Sequence, residues 1–383
     1  MRRLVLIGFL ILNLVFSFKA GVANAGSTEI RVPDDYPMIQ WAINAADIGD
    51  TIIVSPSVYH ERIIINKTIN LSGQNRDTTI IDASETGTAI TITAPNVNVT
   101  GFKIRNGDPW GVIGGYLVSN NIVEMNKAGI KDAAILRNNI VRNNGALGPL
   151  DNMGILAHNS LVEENIVTDN FIGIEAHGST IRNNLIKSSS WLGYAVKAGS
   201  SLVVGNTIKE NYRGIYVSSM GYWGNTVCHN NFVDNEGQID CWAQPQENTW
   251  DNGAEGNYWS DYEGNDGDGD GIGDTLLPHL GVDSYPLVEP WSSVKTFEAF
   301  KWNNLDYEVV IFSNNTIASF SFIHSLKQIS FSVTGPSGSV GFCNVTIPKI
   351  LLKGEPWQIL VDENPPLNVA ATESSTDTFL YFT

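Results

Sequence analysis

Between Asp50 and Ile104 the chain is a series of short β-branched runs, "DTIIV", "RIIINKTINL", "TTIIDA", "TAITITA" and "VNVTGFKI", separated by Gly, Asn and Asp. Within these runs apolar residues alternate with polar ones, the period of a strand that buries one face. Downstream the pattern becomes a repeat. "SNNIV", "RNNIV", "EENIV", "RNNLI", "VGNTI" and "HNNFV" place an asparagine at 121, 139, 165, 184, 206 and 231, an average step of 22 residues. A second marker, Gly-Ile, follows at Gly129, Gly154, Gly173 and Gly214, with Gly193-Tyr194 as a variant. Units of this length are too short for a strand–helix–strand crossover, which takes about 30 residues. They predict a parallel β-helix, in which each coil lies on the one before and equivalent residues sit ~4.8 Å apart. Asparagines repeated at an inward turn can bond to one another and to main chain, so this column reads as structural.

The flanks follow other patterns. In "DDYPMIQWAINAAD", Ile39, Ala42, Ile43 and Ala46 fall on one helical face with Pro37 near the first turn, which predicts a short helix plugging the open end of the stack. After "YPLVEPW", the runs "LDYEVVIFS", "ASFSFI", "QISFSVTGPSG", "GFCNVTIP", "EPWQILVD" and "DTFLYFT" alternate between turn residues, the pattern of a small β-sandwich. At the start, Arg2 and Arg3 precede an apolar run from Leu4 to Phe18 and a small-residue Ala23-Asn24-Ala25 site, as in a secretory signal. The expected organisation is signal 1–25, cap 26–48, β-helix 49–245, an Asp/Gly-rich closing segment 246–290 and the sandwich 291–383.

Charge narrows the function. The formal charge is −17, and removal of residues 1–25 would take three of the 23 basic residues and none of the 40 acidic ones, leaving −20. Such a surface repels nucleic acid and anionic lipid and suits cations or neutral sugars outside the cell. Three cysteines are too few for a disulfide framework, although Cys228 and Cys241 could pair.

The stretch "VPDDYPMIQWAINAADIGDTIIV", followed by "YHERIIINKTINLSGQNRDTTIIDA" and the "NNIV" coils, resembles the pectin-lyase-like right-handed β-helix proteins, and among them the NosD-like branch described as carbohydrate-binding and sugar-hydrolase domains. The resemblance covers roughly residues 29 to 290. It implies an all-β, single-stranded, right-handed parallel β-helix with a helical cap, and the last segment resembles the immunoglobulin-like domains of archaeal surface proteins. It also implies a secreted or cell-surface protein whose partner is a glycan or polysaccharide. A polysaccharide lyase, hydrolase or epimerase and a purely structural coat protein are the alternatives. Copper delivery, suggested by the NosD name, finds no soft-ligand cluster among five Met, six His and three Cys.

Two candidate sites emerge. In "GNDGDGDGIGDT", Asp266, Asp268, Asp270 and Asp274 take positions 1, 3, 5 and 9 of an EF-hand-type loop with Gly271 at 6, which predicts a structural Ca2+ ion. Position 12 is Leu277, so the remaining ligand is sought from Asp283, Glu263, Asp261, a carbonyl or water. The second site comes from aligning coils on the glycine marker. Phe171, Trp191 and Tyr212 then form an aromatic ridge, with Tyr216 and a polar bank of Glu175, His158, His177 and Lys197 across a glycine trough. Ring faces beside hydrogen-bonding groups suit a sugar chain, and Glu175 with His177 could serve as an acid/base pair.

Overall fold

The computed structural model describes residues 3–6, 28–145, 153–187, 189, 192–217, 222, 224–240, 247–292, 294–302, 305–313, 316–334, 341–352 and 357–383. The chain divides into two compact units, one spanning residues 22–251 and 255–291, the other formed by residues 292–383 with 1–21 and 252–254.

The first unit is a parallel β-helix built from three sheets. The first sheet has ten strands from Glu29–Val32 to Thr226–Cys228, the second ten from Ser57–Tyr59 to Tyr258–Trp259, and the third nine from Ile63–Ile65 to Gly237–Asp240. Because most of these strands are only three or four residues long, their stability comes from stacking between coils. In the first sheet Val118, Leu136, Val162, Ile181, Val203 and Val227 pair rung to rung, and all are fully buried. Ile104, Val123, Val141, Val167, Ile186, Ile208 and Phe232 form the equivalent column in the second sheet. β-Branched side chains fill such columns well, since their few rotamers suit a pleated surface. The stack runs past both expected boundaries: Glu29–Val32 is already its first rung, paired with Thr51–Val54, and Tyr258–Trp259 is its last, paired with Asn231–Val233.

The corners carry the polar interior. At the first, a residue with positive φ (Asn120, Asn138, Glu164, Asn183, Gly205, His229) turns the chain. The next residue is a buried asparagine: 121, 139, 165, 184, 206 or 230. Each of these donates its backbone N–H to the Oδ1 of the asparagine one coil on, at 2.9 to 3.1 Å, and Asn230 passes the chain to Asn257. Asn257 in turn donates to Oδ2 of Asp283 at 2.8 Å. The column therefore uses Asn230, not Asn231. Asn231 opens the next strand and exchanges hydrogen bonds with the Trp291 backbone. A second ladder, Asn126, Asn144 and Asn170 and then Asn211 and Asn235, occupies the next corner, with Ser189 in the gap. The third corner stacks Ser160, Ser179, Ser201, Asn225 and Asn248.

Both ends are sealed. The helix Ile39–Ala45 buries Ile39, Ala42 and Ile43, as its pattern predicts. Glu61 accepts the N–H groups of Ile39 and Gln40, each at 2.9 Å, and Lys67 donates to the carbonyls of Asn44 and Ala46 at 2.7 Å, so one coil caps both helix ends. Gln40 bonds both the N–H and the C=O of Ile64, doing for this edge strand what a further rung would do. At the far end the aliphatic column gives way to stacked Phe232 and Trp259, ring centroids 4.3 Å apart, and the Trp259 indole donates to Asp283 at 2.8 Å.

The second unit is antiparallel. Val294–Trp302, Leu305–Ser313, Cys343–Pro348, Asp377–Phe382 and Val369–Glu373 form a five-stranded sheet, and Thr316–Ile323, Gln328–Thr334, Arg3–Leu6 and Leu360–Val361 a four-stranded one. Val309, Ile311, Phe331, Val345 and Leu380 belong to its core. Apart from Arg3–Leu6, the expected signal segment lies outside the described residues. Cys241 does too, and Cys228 is a buried free thiol.

The ladder makes a measurable claim. Asn184 receives the N–H of Asn165 and donates to Val162 O, Arg182 O and Asn206 Oδ1. Asn184→Ala should cost about 1–3 kcal/mol in denaturant unfolding, because it strands buried partners. Asn230→Ala should behave alike, and unchanged midpoints for both would refute the ladder's role.

Candidate functional site

The outward face of the third sheet collects the sequence-predicted polar bank. Its strands Met153–His158, Ile172–His177, Tyr194–Gly199, Arg213–Tyr216 and Gly237–Asp240 are neighbours in order. Ile174 and Ala176 are fully buried, while Glu175 and His177 turn outward. Glycine explains the local shape: a Cβ at Gly129, Gly173 or Gly214 would come within 2.2 to 2.5 Å of a carbonyl oxygen on the next rung. That column continues through Ala195, not Gly193, because Ile174 pairs with Val196 and Glu175 with Lys197. The expected alignment was therefore two residues out on this coil.

The corrected register builds a row along the stack: Lys131, Leu156, Glu175, Lys197, Tyr216 and Asp240. His158 and His177 pair in a parallel row, their rings stacked at 5.5 Å. Glu175 is the hub. Its Oε2 accepts from Lys197 Nζ at 3.0 Å, its Oε1 accepts from the Tyr222 hydroxyl at 2.7 Å, and His177 Nε2 lies 3.9 Å from the same Oε1. Lys197 Nζ stands 4.8 Å from the Tyr222 ring centre and 5.8 Å from that of Tyr216. Tyr194, Tyr216 and Tyr222 pack edge to face at 5.0 and 5.3 Å. Tyr194 donates to Asp240 Oδ2 at 3.2 Å, Arg213 lies 3.9 Å from the same oxygen, and His158 Nδ1 meets Asp132 Oδ1 at 2.7 Å.

The electrostatics follow from burial and pairing. Desolvation opposes the charged form of Lys197, but the Glu175 carboxylate outweighs it and raises the pKa. Burial, then the hydrogen bond to Glu175, raises the Tyr222 phenol. Burial and then the Asp240 charge push the Tyr194 phenol up to about 12.

Of the expected ridge, Trp191 lies outside the described residues. Phe171 is half-buried beside its strand, and Tyr212 lies 4.7 Å beneath the Arg213 guanidinium. The aromatics that gather around Glu175 and Lys197 are instead Tyr194, Tyr216 and Tyr222. Tyr194 and Asp240 could have been found by counting from Ala195. Tyr222 could not, since it reaches back 47 residues to Glu175 from a connection without a period.

At the Asp/Gly-rich loop, ligand atoms of Asp266, Asp268 and Asp274 lie within 4.8 Å of one another. Asp266 accepts the N–H groups of Gly269 and Gly271, and the Gly271 bond leads in holding its carboxyl below the usual range. Asp270 is not in that trio, and its Oδ1 accepts the Ile272 N–H at 2.9 Å. Asp283 is no ligand candidate: it is fully buried and takes the N–H groups of Asn257, Trp259 and Tyr285. Oxygen-only donors suit calcium and do not fit copper, which favours thiolate, thioether and imidazole. Burial leads in pushing the Cys228 and Cys343 thiols up to about 12 and about 11, which keeps them protonated.

Fold and face together define a parallel β-helix protein with a polar, aromatic outer wall. Residues 43–264 match the sequence profile described as periplasmic copper-binding protein (NosD), and the chain belongs to that family. It is similar to the probable ABC transporter binding protein NosD of Stutzerimonas stutzeri, 30% identical over 169 residues covering 42% of this chain and 37% of that protein. A cell surface glycoprotein of Methanothermus fervidus is 32% identical over 130 residues, 32% of this chain and 21% of that one. The chain thus spans well under half the length of these relatives. An alginate lyase structure from Paenibacillus sp. aligns over 54% of this chain and 88% of its own, with 14% identity and a TM-score of 0.45.

One titration tests the wall. Tyr194 should stay protonated between pH 10 and about 12, and Asp240→Asn should bring its ionisation down towards 10 when tyrosinate absorbance is followed. An unchanged titration would show that Asp240 does not face this phenol.

Proposed function

We propose that this NosD-family β-helix works outside the cytoplasm and binds a saccharide chain along the outer face of its third sheet. The observation that carries the reading is the Glu175 carboxylate held between Lys197 and Tyr222, with Tyr194, Tyr216 and His177 on the same wall. Hydroxyl-rich ligands need fixed donors and acceptors next to ring surfaces, and this wall offers both on successive rungs. The acidic composition, the periplasmic family and the cell surface glycoprotein relative support the location. Glu175 and His177, 3.9 Å apart, share one wall and would exchange a proton through a bridging water or ligand hydroxyl, so turnover of a bound polysaccharide is the second reading and is seen in the same assay. A glycan array with the full chain should give binding that Tyr216→Ala weakens about tenfold or more. Binding that ignores Tyr216→Ala and Lys197→Met would place the site elsewhere, and absence of both binding and turnover would favour a structural coat protein.

The same proposal assigns Ca2+ to the loop of Asp266, Asp268 and Asp274, as a clasp within the segment that closes the coil. An ion bound only by the folded state stabilises it by mass action, so calcium should raise the melting temperature by a few degrees over chelator. Asp268→Ala should erase the difference, and identical curves for the unaltered chain would remove calcium from the account.

A further inference from the structure

The charges at the centre of the wall are already spent on one another. Lys197 is 3.0 Å from Glu175, Arg213 is 3.9 Å from Asp240, and His158 is 2.7 Å from Asp132. Lys127, beside the row, pairs with Asp108 at 3.4 Å; Lys131, two rungs before Glu175 at the row's start, has no carboxylate partner among the described residues and lies 5.8 Å from the centre of the Trp110 ring. The pair at the centre is also the most sheltered, with side-chain exposures of 18% for Lys197 and 14% for Glu175. Around it the molecule carries a formal charge of −17.

From this arrangement we infer that the saccharide carries no carboxylates: a neutral polysaccharide lying along the stack, not a uronate chain. The inference rests on the glycan-binding reading and narrows it. A uronate carboxylate at these central rungs would need a cation there with no carboxylate of its own, and the row's cation of that kind, Lys131, stands two rungs away from Glu175. Lys197 cannot serve while Glu175 holds it. A neutral hydroxyl is different. It can donate to a lone pair of Glu175, accept a remaining hydrogen of Lys197, and lay an apolar ring face on Tyr216 or Tyr194, with no ion pair broken. Because Glu175, Lys197, Tyr216 and Asp240 occupy successive rungs ~4.8 Å apart, a ligand using them runs parallel to the stack axis and contacts more rungs as it lengthens.

The test uses the full chain against three sets of oligosaccharides: glucan, mannan and xylan fragments; galacturonan and mannuronan fragments; and glucosamine oligomers. The expected result is binding to at least one neutral series, rising with oligomer length and little changed between low and high salt, since no charge is neutralised. Glu175→Gln frees the Lys197 cation, and Asp240→Asn frees Arg213. Either variant, checked for an unaltered melting transition, should gain at least about tenfold in uronate binding over the parent chain. Uronate or glucosamine binding by the parent that exceeds neutral binding would overturn the inference and leave the glycan site standing, as would variants that gain no uronate affinity. No binding to any series would remove the glycan site and the inference with it.

Discussion

Everything in the β-helix depends on the hydrogen bond that an asparagine Oδ1 accepts from the main chain one coil earlier. A coil of three short strands has three corners, and at each corner the chain must turn and leave a peptide group facing inward. Left unpaired there, an N–H costs a kilocalorie or more, and a solenoid would repeat that cost on every turn. The asparagine carboxamide answers with an acceptor for the coil before and donors for carbonyls around it, so each coil supplies the next with what it lacks. All these N–H groups point the same way along the stack. The column must therefore end on an acceptor that needs no partner beyond it, and Asp283, with Asn257, Trp259 and Tyr285 donating to it, fills that place. Burial pushes the Asp283 carboxyl above its usual range, and the donated N–H groups of Trp259, Asn257 and Tyr285 offset part of that cost.

The rigid repeat fixes the wall in turn. With backbones held in register, outward side chains on one sheet fall into rows, and chemistry spread over more than sixty residues of sequence, from Glu175 to Asp240, becomes one surface. The glycine column keeps the inner edge of that sheet close enough for neighbouring carbonyls to pack where a side chain would collide. From Gly129 to Gly214 the column admits only Ala195, the smallest side chain, and a larger residue, Gln238, enters at its last rung.

Much of this is legible in the sequence, and the failures have physical causes. β-Branched runs and the spaced asparagines announce the coil because they are the residues a repeated strand and a repeated inward corner require. The second ladder is just as visible, five residues after the first at Asn126, Asn144, Asn170, Asn211 and Asn235, but the serine-rich third corner is not, because a hydroxyl at a turn is common anywhere. The adjacent pair Asn230-Asn231 hides the register until Phe232 is recognised as occupying an aliphatic column. On the wall, strand alternation placed Glu175 and His177 outward, while the assumption that Gly193 kept the glycine marker moved Lys197 beside the wrong neighbour. Asp283 reads as one more acidic ligand in an acidic segment, and only burial reveals that its partners are N–H groups.

The claim that ties fold to function is that the third sheet's outer face is the ligand surface. Hydrogen–deuterium exchange of the full chain, with and without a bound neutral oligosaccharide, tests it directly. Added protection should map to residues 172–177, 194–199 and 213–216, the consecutive rungs that carry Glu175, Lys197 and Tyr216, and leave the first and second sheets unchanged. Protection confined to those other sheets, or to the antiparallel unit, would contradict the account.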